Sequence, residues 1–252
     1  MTLMIEQSTE RDTLLAAYRA TRRFTEQLCA GLEPEDYVVQ SMDDVSPTKW
    51  HLAHTSWFFE TFVLQAYLPQ YKPFDVRFDA LFNSYYQRHA RCIAQSIHPR
   101  SQRGLLTRPG LHEVIAYRRH VDQALIDALL GDHALPDASL AVIELGLHHE
   151  QQHQELFFTE IKYILAQNPP RLRTPYQPLP ESHSASAAAN GQSLAFHEFD
   201  GGLFSFGHHG DAWCWDNEGP VHKYYLQPYS LADRLVTCGD YQRFIDDGGY
   251  RN

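Results

Sequence analysis

The sequence predicts an α+β chain, mainly α, with a helical bundle over its first two-thirds and a β-rich segment after it. Two observations carry this. Four stretches between residues 10 and 167 put apolar side chains at the i, i+3, i+4 spacing that builds one face of a helix. After Pro169-Pro170 the chain turns to short runs rich in glycine and aromatic residues, the pattern of strands joined by turns.

The first helix is expected over residues 10–30, on the stripe Leu14, Tyr18, Thr21, Phe24 and Leu28, with Ser8 or Thr9 as cap. A second should start at Ser46-Pro47, a capping serine followed by a proline at the first helical position. It runs through Trp50, His54, Trp57, Phe58 and Phe62 to about Leu68. Residues 69–109 are mixed, broken by Pro69, Pro73 and Pro99. A third helix follows from about Gly110 to Leu130, where Gly131 ends it. A fourth starts after Pro136-Asp137 and reaches about Gln167, before Pro169-Pro170. Four long helices with substantial connections predict an antiparallel four-helix bundle over residues 1–168. Residues 169–193, with Pro175, Pro178, Pro180 and a Ser/Ala/Asn tract, read as a linker. Residues 194–252 read as the start of a β-rich domain, too short on their own to bury a full core.

The composition excludes several classes of function. A formal charge of -10 with no basic run argues against nucleic acid or an anionic membrane as a partner. No stretch approaches the ~20 apolar residues of a membrane helix, and the N-terminal run lacks the features of a signal peptide, so a cytoplasmic address is expected. Cys29, Cys92, Cys214 and Cys238 are scattered without a C-x-x-C, and small buried hydrophobes are the expectation for each.

Histidine is the unusual residue, at 15 copies, and its placement points to a metal. In Leu147-His-His-Glu-Gln-Gln-His-Gln-Glu155, His149 and His153 stand at i and i+4, on one helix face and about 5–6 Å apart at Cβ. Two imidazoles turned towards a core need partners, and a shared ion supplies one. Imidazole suits zinc, iron, copper and nickel alike. The third ligand should come from another helix, and Trp50-His-Leu-Ala-His54 offers His51 and His54. Three nitrogens leave coordination positions open, the arrangement of a catalytic metal. His149-Glu-x-x-His153 also matches the zinc-protease pattern with Glu150 as base, and Glu150-x-x-His153 matches half of a di-iron site. Neither pattern finds its remaining ligands in the chain. Arg100 and Arg103, three apart beside a glycine, form a candidate clamp for a carboxylate.

Together these segments resemble the iron-dependent sulfoxide synthases of ergothioneine biosynthesis (the EgtB type, with ovothiol synthases as cousins). The matching residues are Ser46-Pro-Thr-Lys-Trp-His-Leu-Ala-His54, His98-Pro-Arg-Ser-Gln-Arg-Gly-Leu-Leu-Thr-Arg-Pro109, His149-Glu-Gln-Gln-His-Gln-Glu155, Asp216-Asn-Glu-Gly-Pro-Val-His222 and Asp246-Asp-Gly-Gly-Tyr250. They run through the whole chain in the family's order.

The resemblance implies a DinB-like four-helix bundle followed by a domain like the formylglycine-generating enzyme, a variant of the C-type lectin fold. It implies Fe(II) held by His54, His149 and His153. Arg100 and Arg103 would hold the carboxylates of a thiol substrate, γ-glutamylcysteine or cysteine, and Gln152 would contact trimethylhistidine (hercynine). Dioxygen would be the oxidant and a sulfoxide the product. Members of the family continue beyond Asn252, and their catalytic tyrosine lies in that further part. The resemblance therefore assigns no catalytic residue here and implies an incomplete second domain, with weak or absent turnover by these 252 residues. A zinc- or nickel-dependent DinB-like thiol transferase, or a non-catalytic metal-binding remnant, would use the same histidines.

Overall fold

The computed structural model describes residues 2–84, 97–131, 135–169, 176 and 194–251. The chain divides into two compact units, residues 1–178 and 179–252. The linker expected at residues 169–193 lies outside the described residues except for Pro169 and Tyr176, as does Cys92.

The first unit is built on helices α1 (Thr2–Cys29), α2 (Thr48–Phe59), α3 (Gln65–Tyr67), α4 (Phe78–Phe82), α5 (Leu111–Leu130) and α6 (Ala138–Ala166). A π-helical turn, Glu60–Leu64, joins α2 to α3, so the second long helix is continuous but changes its winding midway. A π turn inserts an extra residue into each turn and rotates the side chains beyond it. Here Glu60 swings inward, where its carboxylate accepts from Tyr71 Oη (2.7 Å), the Phe74 N–H (3.0 Å) and Tyr117 Oη (2.8 Å). A short 3-10 helix, Arg100–Leu105, precedes α5.

The helix boundaries differ from expectation at two starts. α1 begins at Thr2, eight residues before the expected start at residue 10; no glycine or proline interrupts residues 2–9, so nothing there stops the helix. At α2 the cap is Pro47, with extended backbone and no side-chain cap bond. The hydroxyl of Ser46 instead accepts from Arg103 Nη1 at 2.8 Å, tying the 3-10 helix to the start of α2.

The core of this unit is aromatic and lies among α1, α2, α5 and α6, with Tyr18, Trp57, Phe59, Phe78 and Tyr117 buried. The four long helices therefore pack around one apolar interior, which holds α2 and α6 in fixed apposition. Glycine 146 lets them meet closely: a Cβ there would lie 2.4 Å from Phe59 Cε1 and 2.9 Å from Phe58 Cε1. Among the cysteines, Cys29 is buried as expected, whereas Cys214 is partly exposed and Cys238 exposed.

The second unit holds strands β1 (Phe196–Phe199), β2 (Gly202–Phe206), β3 (His222–Leu226) and β4 (Tyr229–Ala232). β1 pairs antiparallel with β4 and β2 with β3. The two ladders share one register, because Phe199 opposite Tyr229 and Gly202 opposite Leu226 leave two residues on each side between them. The break falls where Pro228 has no N–H to give and where Gly201 takes φ +75°, its missing Cβ leaving room for the Leu226 carbonyl. A helix the periodicity did not predict, α7 (Cys238–Asp246), follows a capping box in which Thr237 Oγ1 accepts from the Asp240 N–H and the Asp240 carboxylate accepts from the Thr237 N–H. Among the described residues, no helix is long and apolar enough to cross a membrane.

Candidate metal centre

α2 and α6 carry the site between them. The i, i+4 spacing on α6 brings the rings of His149 and His153 to 4.6 Å between centroids. His54, from α2, lies 5.0 Å from the first and 4.7 Å from the second. One ring nitrogen from each of the three lies within 4.8 Å of the others, the one such group of potential ligands among the described residues.

Each ring is held by its surroundings. His54 is sandwiched, its ring stacked on Trp50 at 4.4 Å and on Trp57 at 5.5 Å, both nearly parallel. Its Nδ1 donates to the Phe82 carbonyl at 2.5 Å, which leaves Nε2 for the centre. His153 Nδ1 lies 2.9 Å from Nδ1 of His51, and His51 Nε2 lies 2.5 Å from Glu160 Oε2. His149 packs on Phe58, and its Nδ1 is buried with no hydrogen-bond partner. Burial pushes all three imidazoles below their ordinary pKa, His54 and His153 far below and His149 to about 4. They are neutral at physiological pH, the form in which a ring nitrogen binds a metal.

The group fits a single divalent transition-metal ion. Three neutral ring nitrogens converge, the His149 ring carries a buried nitrogen with no hydrogen-bond partner, and three ligands leave positions open. The donor set accepts iron, zinc or nickel and does not choose among them.

A family model describing the DinB superfamily matches residues 17–157, more than half of the chain, and that span contains all three histidines. The chain belongs to the DinB superfamily. No curated protein matches it.

In this DinB bundle the histidines open onto a cleft of about 250 Å³. The other residues singled out from sequence line the same cleft: Arg100 and Arg103 from the 3-10 helix, Gln152 from α6. Arg103 is buried, with its guanidinium 3.4 Å over the Trp50 ring. Trp50 thus carries His54 on one contact and Arg103 on another, coupling the histidine cluster to a buried cation. Arg100 is more exposed; its Nη2 lies 3.8 Å from Glu160 and also donates to the Asp44 carbonyl. Gln152 is exposed, one turn from His149 and adjacent to His153.

Glu150, the base of the protease pattern, is not among the residues that line this cleft. Its carboxylate is fully buried between Arg22 Nη1 (2.9 Å) and Arg118 Nη2 (2.6 Å) and also accepts from Thr25 Oγ1 (2.6 Å). It is committed to the bundle core and has no access to the cleft. Glu160 and the role of His51 were not anticipated. The signal was present, since Glu160 follows His153 by seven residues and so shares its helix face.

Proposed function

We propose that the chain belongs to a non-haem Fe(II)- and O2-dependent sulfoxide synthase, joining γ-glutamylcysteine or cysteine to C2 of the imidazole of trimethylhistidine. The observation that carries this reading is one cleft lined by His54, His149, His153, Arg100, Arg103 and Gln152 together. Residues drawn from three separated segments by their likeness to that family share a single cavity.

In this reading His54, His149 and His153 hold the iron, and the second unit corresponds to a C-type-lectin-like domain. Ferrous iron, when bound, supplies the redox chemistry that lets dioxygen oxidise a thiol. Net, the imidazole C2–H and the thiol S–H are lost, a C–S bond forms, and dioxygen leaves one oxygen on sulfur and the other as water. The chain's own residues bind and orient. Arg103, fixed flat on Trp50, presents guanidinium donors in a geometry suited to a carboxylate. Arg100, partly exposed and 3.8 Å from Glu160, can turn from that carboxylate to one on the substrate. Gln152 supplies a neutral amide at the rim, where a cationic trimethylammonium meets no competing positive charge from it. Holding both substrates in one cleft turns a multi-body encounter into a reaction between positioned partners.

The test is anaerobic Fe(II) titration of the purified chain, followed by calorimetry with trimethylhistidine. The expected result is one iron per chain, lost in a His149→Ala/His153→Ala double variant, with trimethylhistidine binding only when iron is present. A second reading shares the site. Because the matched family span covers the bundle alone and the donors fit zinc or nickel equally, a metal-dependent thiol transferase would use the same triad without dioxygen. Zinc held tightly with no response to trimethylhistidine would replace the first reading by the second.

A further inference from the structure

We infer that His51 and Glu160, which are not metal ligands, position His153 for the metal by fixing which of its ring nitrogens is bare. This rests on the reading of His54, His149 and His153 as a metal centre, whichever metal fills it.

The deduction starts at the carboxylate. Glu160 Oε2 accepts the backbone N–H of Ser46 at 2.9 Å, which anchors it at the start of α2. A carboxylate oxygen only accepts, so the 2.5 Å contact to His51 requires a proton on His51 Nε2. A His51 ring with a single proton then offers Nδ1 as an acceptor. The facing nitrogen, His153 Nδ1 at 2.9 Å, must therefore carry the proton and donate. His153 is left with a bare Nε2, as His54 is by its bond to the Phe82 carbonyl. Two of the three rings thus reach the same tautomer by different anchors, one through a backbone carbonyl and one through a histidine backed by a carboxylate. Outer partners that fix a ligand ring typically change metal affinity 10–100-fold when removed.

The relay also ties the centre to the cleft. Glu160 Oε1 lies 3.8 Å from Arg100, so the carboxylate that orients His153 also faces the more exposed cation of the site. His54 is held differently, by stacking on Trp50 and Trp57 and by the Phe82 carbonyl.

The experiment is Co(II) titration of the full chain, read by the visible ligand-field bands and by the hyperfine-shifted ring N–H protons of the bound histidines. His51→Ala and Glu160→Ala should each bind one cobalt with unchanged band positions and 10–100-fold weaker affinity. One ring N–H signal, that of His153, should exchange faster with solvent. His51→Asn, which offers an amide oxygen in place of the ring acceptor, and Glu160→Gln, which keeps a carbonyl oxygen, should recover part of the affinity, an effect that simple loss of packing would not produce. Unchanged affinity in both alanine variants overturns the inference. So does loss of a nitrogen ligand from the cobalt spectrum in His51→Ala, which would make His51 a ligand itself. A wild-type chain that takes up no cobalt is a different failure and overturns the metal-centre reading beneath it.

Discussion

Arg118 Nη2 lies 2.6 Å from Glu150 Oε1, and neither side chain is exposed to water. Arg22 closes on the other carboxylate oxygen at 2.9 Å and reaches Asp122 at 2.6 Å, so one buried carboxylate is shared by two guanidinium groups. The pair joins α5 to α6. The residue beside His149 in sequence is thus a brace of the bundle.

Glu150→Ala should therefore act on stability and leave the ligand chemistry in place. It removes the carboxylate that Arg22 and Arg118 share in the core, and breaking one side of a buried ion pair costs about 3–5 kcal/mol. Urea unfolding of wild type and variant would measure it. A protein that keeps its stability but loses its metal would assign Glu150 to the centre instead.

The same pair sets an acid limit. Burial alone would raise the Glu150 carboxyl, but the Arg118 and Arg22 charges, with the Thr25 and Arg22 hydrogen bonds, hold it down to about 2. An unfolded glutamate titrates near 4.3. The folded state therefore gains stability from Glu150 above that value, and loses it as pH falls towards about 2. The contribution is on the order of 3 kcal/mol. Thermal melts between pH 5 and pH 2.5 should show wild type losing its advantage over Glu150→Gln across this window. A gap that stays constant would remove Glu150 from the acid response.

Gly146→Ala is expected to destabilise, although alanine ordinarily favours a helix interior over glycine by about 0.5–1 kcal/mol. The new methyl would sit 2.4 Å from the Phe59 ring and 2.9 Å from that of Phe58, and overpacking of this kind costs about 1–3 kcal/mol. Phe58 packs on His149 at 4.8 Å, so the strain passes to a candidate ligand. A fall in melting temperature together with weaker Co(II) binding is the expected outcome. A rise in melting temperature would show that the helices can part at no cost.

Much of this was legible in the chain. α5 and α6 start and stop within a residue or so of their glycine and proline signals, because caps and breakers act locally. His149 and His153 were legible for the same reason, since i, i+4 spacing fixes their relation before any tertiary contact forms. What stayed hidden depends on partners far off in sequence. Ser46 has the composition of a cap, but Arg103, 57 residues later, takes its hydroxyl. His51 and His54 both stand on α2 three residues apart, and only the Phe82 carbonyl and the Glu160 carboxylate separate the candidate ligand from the proposed relay. The π turn at Glu60–Leu64 carries no periodic signal at all. α7 is hidden for a different reason: nine residues are too few to set a period, although Thr237 and Asp240 spell its capping box.

The Arg103 site gives the sharpest test of the proposed substrate chemistry. Its guanidinium lies 3.4 Å over Trp50, the ring that also stacks on His54, and it donates to Ser46. A lysine would keep the charge but lose both the flat stack and the fork geometry that a carboxylate matches. If Arg103 binds the thiol through its carboxylate, Arg103→Lys should weaken thiol binding about 10–100-fold, the worth of one or two charge-assisted hydrogen bonds. Metal affinity should stay close to that of wild type, because His54 keeps Trp57 and the Phe82 carbonyl. Calorimetry with γ-glutamylcysteine and with cysteine on the metal-loaded chain would separate the two effects. Equal weakening for both thiols would place Arg103 on the carboxylate they share, at the cysteinyl end, while a loss confined to γ-glutamylcysteine would place it on the glutamyl carboxylate. Unchanged binding of both would leave Arg103 as a support for Trp50 and remove it from the substrate site.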